Sequence, residues 1–136
     1  MGNQQLLIIV IAVVIISIAI AVGVTLFRDS AASSNRDQLV VDLAQYAVRA
    51  QAYYRRPSAF GGGESSFNGL SMGKITSSSA NINGTYTLDP DPVGGSPASI
   101  KLVGIGTETG IDGASPVKVV MVVLSDTMSV DESAGN

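Results

Sequence analysis

The first 27 residues of the chain carry no charged side chain. Within them, the 22 residues from Leu6 to Phe27 include sixteen Ile, Leu, Val or Phe. As a helix this run spans about 33 Å, whereas the hydrocarbon part of a bilayer is about 30 Å thick. Its insertion free energy sums to roughly −5 to −10 kcal/mol. Because lipid offers the backbone no hydrogen-bonding partner, a lone segment there must be helical, and the run predicts a membrane-spanning helix.

A cleaved secretory signal is the alternative interpretation of this run. The apolar region of such a signal is about 7–15 residues long, follows a basic start and ends in small residues. Here no Lys or Arg precedes Arg28, and the run ends in Leu26-Phe27-Arg28-Asp29. We therefore expect the segment to be retained in the finished protein.

A second helical pattern follows the small polar residues 29–35, where we expect the chain to leave the apolar phase and to bend or fray. Apolar residues then recur at spacings of three and four, namely Leu39, Leu43, Ala47, Ala50 and Tyr54. The other side carries polar residues, namely Asp42, Gln45, Arg49 and Arg56. Pro57 disfavours helical geometry at the residue before it, so this amphipathic helix should end near Arg56.

The remaining chain predicts a small sheet. Glycine and serine dominate Ser58 to Asn81, which we expect to be an irregular connection. Three β-rich runs then follow between turn signals, and they predict an antiparallel meander: Thr85 to Leu88, Ser99 to Ile105 and Val117 to Leu124. The last run is apolar on both faces, which predicts a central strand that is covered on both sides. The tail from Ser129 to Asn136 is polar and is expected at the surface.

The predicted fold class is α+β, with a long N-terminal α-helix packed on a small antiparallel β-sheet. We call residues 1–27 the apolar half and residues 28–56 the amphipathic half of the helix. Residues 57–136 form a small Gly/Ser-rich β-domain.

The amino-acid composition excludes several classes of function. The chain has no cysteine and no histidine, so thiolate chemistry and the usual general base are excluded. All five arginines lie in the amphipathic half, whereas eight of the eleven acids follow Pro57. An acidic domain lacks the clustered basic residues of a nucleic-acid interface. We therefore expect no enzyme, no cofactor, no metal ion and no nucleic-acid partner.

Short motifs do not change this interpretation. Ser71 and Lys74 match an S-x-x-K nucleophile pattern but lack its companion motifs. Two acidic groups have spacings that do not fit a regular calcium loop, one at 89–91 and one at Asp126, Asp131 and Glu132. Gly104-Ile105-Gly106 lacks the third glycine of a dinucleotide fingerprint, so we expect it to bend or bulge a strand.

Asn83-Gly84-Thr85 fits the acceptor pattern for N-linked glycosylation and is also a strong turn signal. Both interpretations of Asn83 stay open at the level of the sequence.

The start of the chain resembles the type IV pilins and pseudopilins. When Met1 is counted as the first mature residue, Gln5-Leu6-Leu7-Ile8 stands in place of the E-L-L-I of that family. The family's glutamate is replaced by Gln5, which carries no charge, and the usual basic leader ending in glycine does not precede the apolar run. The resemblance covers about the first 56 residues by pattern and the β-domain only by architecture.

This resemblance implies a subunit that is stored in the cytoplasmic membrane as a single-pass precursor. Assembly machinery would then stack identical copies into a filament at the cell surface. The residues that this hypothesis assigns to assembly are Gln5, Leu6, Leu7, Ala19, Gly23, Phe27, Arg28 and Asp29. Ala19 and Gly23 form a small-xxx-small pair that lets helices approach closely. Arg28 and Asp29 lie where a filament core would meet water, although they also fit an ordinary membrane-interface anchor.

Two other functions are kept as alternatives. One is a monomeric binding module anchored in a membrane, and the other is a minor pseudopilin of a secretion system. A simple anchor does not need some 30 helical residues beyond the bilayer, so the length of the helix favours the filament.

Overall fold

The computed structural model describes residues 2–131, in which one long helix packs on a four-stranded antiparallel sheet. This layout confirms the predicted α+β class. The elements are helix α1 at Gly2–Arg55, a 3-10 turn at Ser58–Phe60, helix α2 at Met72–Ile75, and strands β1 at Gly84–Asp89, β2 at Ser99–Thr109, β3 at Pro116–Leu124 and β4 at Met128–Asp131.

Helix α1 is uninterrupted over 54 residues, so it is about 80 Å long. The expected fraying at residues 29–35 is wrong, because this segment is helical throughout. Ala32 and Asn35 are already buried, so the packing of the helix on the rest of the chain begins inside this segment. The helix ends at Arg55, one residue before the predicted position.

The predicted apolar stripe faces the sheet. Leu39, Leu43, Ala47 and Ala50 have no exposed surface. The last member of the stripe is Tyr53, which is 8 % exposed, rather than Tyr54. The Tyr53 hydroxyl donates a hydrogen bond to the Asn68 carbonyl at 2.9 Å, so this ring packs on the connection and not on the sheet.

Two glycines of β2 let α1 approach the sheet closely. A Cβ at Gly104 would lie 3.3 Å from a methyl group of Leu43, and a Cβ at Gly106 would lie 1.9 Å from Oδ1 of Asn35. The pairing register of β2 with β3 shifts between Ile105 and Thr109. This confirms the predicted irregularity in the strand and adds the reason why the glycines are needed there.

Asn35 is a buried polar residue at this close approach, and its amide is hydrogen-bonded. Its Nδ2 donates to the Asn83 carbonyl at 2.9 Å, and its Oδ1 accepts from the Glu108 N–H at 3.5 Å. A buried amide without partners would cost about 1–3 kcal/mol, so these contacts allow a polar residue in the interface.

The connection between helix and sheet is packed and not merely irregular. Phe67 and Leu70 have no exposed surface, and the side chains of Met72 and Ile75 in α2 are also buried. The N–H groups of Gly63 and Ser65 donate to the Tyr53 and Tyr54 carbonyls in the last turn of α1, and the Glu64 N–H donates to the Arg56 carbonyl just after it. The connection therefore caps the helix end, whose carbonyls lack partners within the helix.

The sheet is a meander with the order β1-β2-β3-β4. The predicted three strands are present, and a fourth strand that the sequence did not predict, β4, pairs with β3 at the sheet edge. None of its residues is fully buried, so the start of the tail lies at the surface as expected. Residues 132–136 lie outside the described part of the chain. Strand β3 is central, as predicted, and α1 covers the face that carries Val117, Val119, Met121 and Val123.

The second face of β3 differs from the prediction. Within residues 2–131, this face is not covered by a helix, and Leu124 on it is 37 % exposed. Its valines are shielded mainly by neighbours within the sheet, since Val120 pairs with Val103 and with Asp131. The apolar residues on this face of β3 therefore do not need a second helix packed over them.

Asp42 lies at the edge of the helix–sheet interface, half-buried rather than on the solvent side where the sequence pattern placed it. Its Oδ2 accepts hydrogen bonds from the Asn81 and Asn83 amides at 2.8 Å and from the Tyr86 hydroxyl at 2.5 Å. Burial raises the pKa of Asp42, but the three hydrogen bonds outweigh it and the net pKa lies below the ordinary 3.8. Burial and the neighbouring Asp42 carboxylate raise the pKa of Tyr86.

We predict that Gly106→Ala lowers the free energy of unfolding by about 1–3 kcal/mol, because the new methyl group must displace Asn35. Urea unfolding in mild detergent, followed by tyrosine fluorescence, measures the change. Gly73→Ala is the matched control, since a Cβ there meets nothing within 4 Å and Gly73 lies in α2. Equal stability of the two variants would contradict the close approach of α1 to β2 at Gly106.

The Asp42 network predicts a dependence of stability on pH. The lowered pKa means that the Asp42 contribution is fully present above pH 3.8 and is lost as the pH falls through the folded-state value. Asp42→Asn should cost about 1 kcal/mol near neutral pH, given its partial exposure, and much less at low pH. Thermal unfolding of both proteins between neutral and acidic pH checks this. If the difference in stability between the two proteins does not change with pH, the ionised Asp42 carboxylate does not stabilise the fold.

Candidate assembly surface

The apolar half of α1 has no partner in its own chain. Every residue from Gly2 to Ser30 is exposed, and the first buried residue is Ala32. Large apolar side chains between Leu6 and Phe27 expose from 48 % to 82 % of their surface. The helix is long and apolar enough to cross a membrane, with a mean hydropathy of 3.4 in its most apolar window. A surface of this size and character needs lipid or other apolar helices around it.

Polar groups inside the apolar half are satisfied by the helix itself. The Ser17 hydroxyl donates to the Val13 carbonyl at 2.7 Å, and the Thr25 hydroxyl donates to the Ala21 carbonyl at 3.1 Å. These bonds lower the cost of placing the two hydroxyls in an apolar environment. The segment is therefore suited to a dry environment on every side.

All eight residues that the sequence assigned to assembly lie on α1 and are exposed. Gln5, Leu6 and Leu7 occupy the start of the helix. Ala19 and Gly23 are one turn apart, and a Cβ at Gly23 would meet nothing within 4 Å, so this face is open to a neighbour. Phe27, Arg28 and Asp29 lie about 30 Å further along the axis than Leu6 and Leu7.

The side of α1 that faces away from the sheet carries two exposed valines. Val41 is 56 % exposed and Val48 is 55 % exposed. Each precedes a buried stripe residue by two positions, which is about 200° around the helix, so both point away from the sheet. Gly23 and Val41 are separated by five helical turns and therefore lie on the same side. We call the line through Ala19, Gly23, Val41 and Val48 the back surface of α1.

Between Gly23 and Val41 the same side carries Ser30 and Ser34, so Val41 and Val48 are separate apolar positions on an otherwise polar side of the amphipathic half. Sequence reasoning missed Val41 and Val48, because it assigned the apolar residues of the amphipathic half to one stripe. Their spacing of seven residues, out of phase with Leu39 and Leu43, is the signal that could have found them.

Polar side chains on the other sides of the amphipathic half bind the β-domain. Arg49 donates to the Ile75 carbonyl at 3.1 Å, and Gln51 donates to the Leu124 and Thr127 carbonyls at 3.1 Å. Arg55 donates to the Ser125 carbonyl at 3.3 Å. The Gln51 and Arg55 contacts hold the β3–β4 turn on the helix, and the Arg49 contact holds the end of α2.

At the other end of the amphipathic half, a cleft separates the helix from the β2–β3 turn. Its volume is about 530 Å³. The helix contributes Thr25, Phe27, Arg28, Asp29 and Ala31, and the turn region contributes Glu108, Thr109, Gly110, Ile111 and Gly113. Three of the predicted assembly residues therefore share one site at the end of the apolar run.

Asn83 lies in a tight turn, as one of its two interpretations predicted. The Asn81 side chain accepts from the N–H groups of Asn83 and Gly84 at 2.9 and 3.1 Å, and an isolated bridge joins Ala80 to Thr85. The Asn83 amide itself donates to Asp42, and a glycan would replace one of the two hydrogens on that nitrogen. Glycosylation of Asn83 stays a prediction.

Metal-binding side chains are not gathered in the described part of the chain. Within residues 2–131, no group of three or more His, Cys, Asp or Glu residues is placed to hold a metal ion.

Comparison with protein families, with curated proteins and with solved structures gives no match for this chain.

Proposed function

We propose that this chain is the structural subunit of an extracellular helical filament of the type IV pilus kind. Identical copies pack through the apolar half of α1, and the β-domains lie on the outside. Before assembly, the chain is held as a single-pass protein in the cytoplasmic membrane, from which assembly machinery extracts it. Its role is structural, without catalysis, a cofactor or bound nucleic acid.

The observation that carries this proposal is the free back surface of α1. The sheet occupies one side of the amphipathic half, but Val41 and Val48 on the other side expose more than half of their surface. In a filament these valines add apolar contacts on the side of the helix that carries Ala19 and Gly23. Full burial of one such side chain contributes about 1.5–3 kcal/mol, and a polymer gains this at every copy.

Transfer from the membrane to a filament core need not cost much. Lipid chains and a bundle of apolar helices are similar environments for Leu, Ile and Val, so the same surface is stable in both states. The association then depends on close packing, which Ala19 and Gly23 permit.

Charge distribution supports contacts between copies outside the core. The amphipathic half carries five arginines and three aspartates, whereas residues 57–136 carry three lysines and eight acids. The helix of one copy and the β-domain of another therefore attract each other, and this attraction can orient subunits as they meet.

A membrane-anchored binding module, or a minor pseudopilin, is the second candidate. The observation that favours it is the packing of Leu39, Leu43 and Ala47 on the chain's own sheet. This packing gives the amphipathic half a use within a single molecule, so its length alone does not require a polymer. The exposed Val41 and Val48 have no use in such a monomer.

The first prediction from this proposal is that cells producing the chain carry surface filaments built from it. Electron microscopy of sheared surface material should show thin filaments, and the intact mass of their subunit should include the apolar half. Material that contains only single molecules in membranes would support the anchored module instead.

The back surface can be tested with Val48→Arg. This variant should still enter membranes and fold, because Val48 is exposed, but it should reduce filament yield at least tenfold, since a buried unpaired charge costs several kcal/mol. Filament yield is measured in the sheared fraction against subunit in the membrane fraction. Thr87→Arg is the matched control, because Thr87 is exposed on the face of the sheet away from α1. Equal filament yields from Val48→Arg and Thr87→Arg would show that the back surface is not part of the contact between subunits.

The small-xxx-small pair predicts a second effect. Gly23→Ile should reduce filament yield while membrane insertion is retained, because the larger side chain separates neighbouring helices. Val24→Ile, at the next position of the same run, is the control and should assemble normally. The same yield from both variants would show that close approach at Gly23 is not required.

A further inference from the structure

The β2–β3 turn, residues 110–115, carries an exposed apolar side chain beside the end of the apolar run. Ile111 is 74 % exposed, and Phe27, which lines the same cleft, is 82 % exposed. Among the large apolar side chains that the structure describes outside α1, within residues 2–131, the three most exposed are Ile82, Phe60 and Ile111. An apolar side chain at the tip of a turn is unfavourable in water unless the turn meets an apolar environment.

The backbone of this turn is well satisfied by its own hydrogen bonds. The Gly110 N–H donates to the Ser115 carbonyl at 2.7 Å, and the Gly113 N–H donates to the Gly110 carbonyl at 2.9 Å. Asp112 Oδ1 accepts from the N–H groups of Ala114 and Ser115 at 3.1 Å. A turn with these groups already paired loses little hydrogen bonding with water when it approaches lipid.

The level of the turn along the helix axis decides what it can meet. The cleft places Ile111 beside Thr25 to Ala31 of α1. If Leu6 to Phe27 spans the hydrocarbon, Phe27 lies at its edge and Arg28, the first charge, lies among the headgroups. The turn must then lie at the same surface, with Ile111 within reach of the boundary between headgroups and acyl chains.

We propose that the β2–β3 turn docks the β-domain on the outer surface of the bilayer by inserting Ile111 beside Phe27 at the lipid interface. This inference rests on the membrane-stored state of the proposed function. The partner is a phospholipid surface, because the exposed apolar surface of Phe27 and Ile111 continues that of the apolar half. The β-domain is thereby held upright over its own helix before assembly.

The charged neighbours set the depth of insertion. Glu108 lines the cleft, and Asp112 lies next to Ile111 in the chain. The N–H groups of Ala114 and Ser115 lower the pKa of Asp112, which therefore stays ionised at neutral pH. Carboxylates at this level stop the turn at the headgroups, so Ile111 enters the interface and does not reach the bilayer centre.

The experiment uses tryptophan as a depth probe, because the natural chain has none. The full chain carrying Ile111→Trp is reconstituted into phosphatidylcholine vesicles whose acyl chains bear bromine either near the headgroup or near the chain end. We expect a roughly two-fold loss of emission with the shallow bromine and little loss with the deep one, since interfacial groups lie about 5–10 Å into the boundary.

Two further variants make the outcomes distinct. Ile16→Trp lies in the middle of the apolar run and should be quenched by the deep bromine. Ile82→Trp is the matched control, because Ile82 is 91 % exposed and adjoins Asn83, which is bonded to Asn35. Asn35 lies about 12 Å beyond Phe27 along the axis, so this probe should not be quenched.

Each other result overturns the inference in a recognisable way. If Ile16→Trp is quenched and Ile111→Trp is not, the chain resides in the membrane but the turn does not dock. If Ile16→Trp is not quenched, the membrane-stored state itself fails, and the docking fails with it. Equal quenching of Ile111→Trp and Ile82→Trp would show that tryptophan draws the domain down from any position. A blue shift of Ile111→Trp in lipid-free protein that grows with concentration would assign the turn to a neighbouring copy.

Discussion

The close packing of α1 on β2 depends on two positions without a side chain. Gly104 leaves room for Leu43, and Gly106 leaves room for the Asn35 amide. This contact holds the sheet on one side of the helix and therefore decides which side stays free. The back surface, with Val41 and Val48, stays exposed because the sheet lies on the opposite side of the helix. The arrangement on which the filament proposal depends follows from this contact.

The apolar periodicity of the sequence predicted the helix and the face that carries Leu39 and Leu43, because burial of an amphipathic helix repeats every three or four residues. It could not predict Asp42 or Asn35 in the interface. A polar residue there depends on partners far away in the chain, such as Asn83 and Tyr86, and local spacing does not show them.

Other differences have similar causes. Strand β4 is four residues long, too short for a clear alternation, and it is held by pairing with β3. Phe67 and Leu70 lie in a segment rich in glycine and serine, so composition indicated a loose connection although these two side chains join the core. For the assembly surface, the sequence indicated the apolar run and the pair Ala19 and Gly23. The back surface and the cleft needed the position of the sheet, because both are defined by what the sheet leaves uncovered.

Most of the polar side chains by which α1 holds the β-domain form hydrogen bonds with backbone carbonyls rather than with other side chains. Arg49, Gln51, Tyr53 and Arg55 all donate to main-chain oxygens. These belong to Ile75 in α2, to Leu124 at the end of β3 and to the loop residues Asn68, Ser125 and Thr127. A carbonyl oxygen is present whatever the residue type, so the outer loops can change their amino acids without losing these bonds. Residues at the outer surface can therefore vary while the scaffold underneath stays constant.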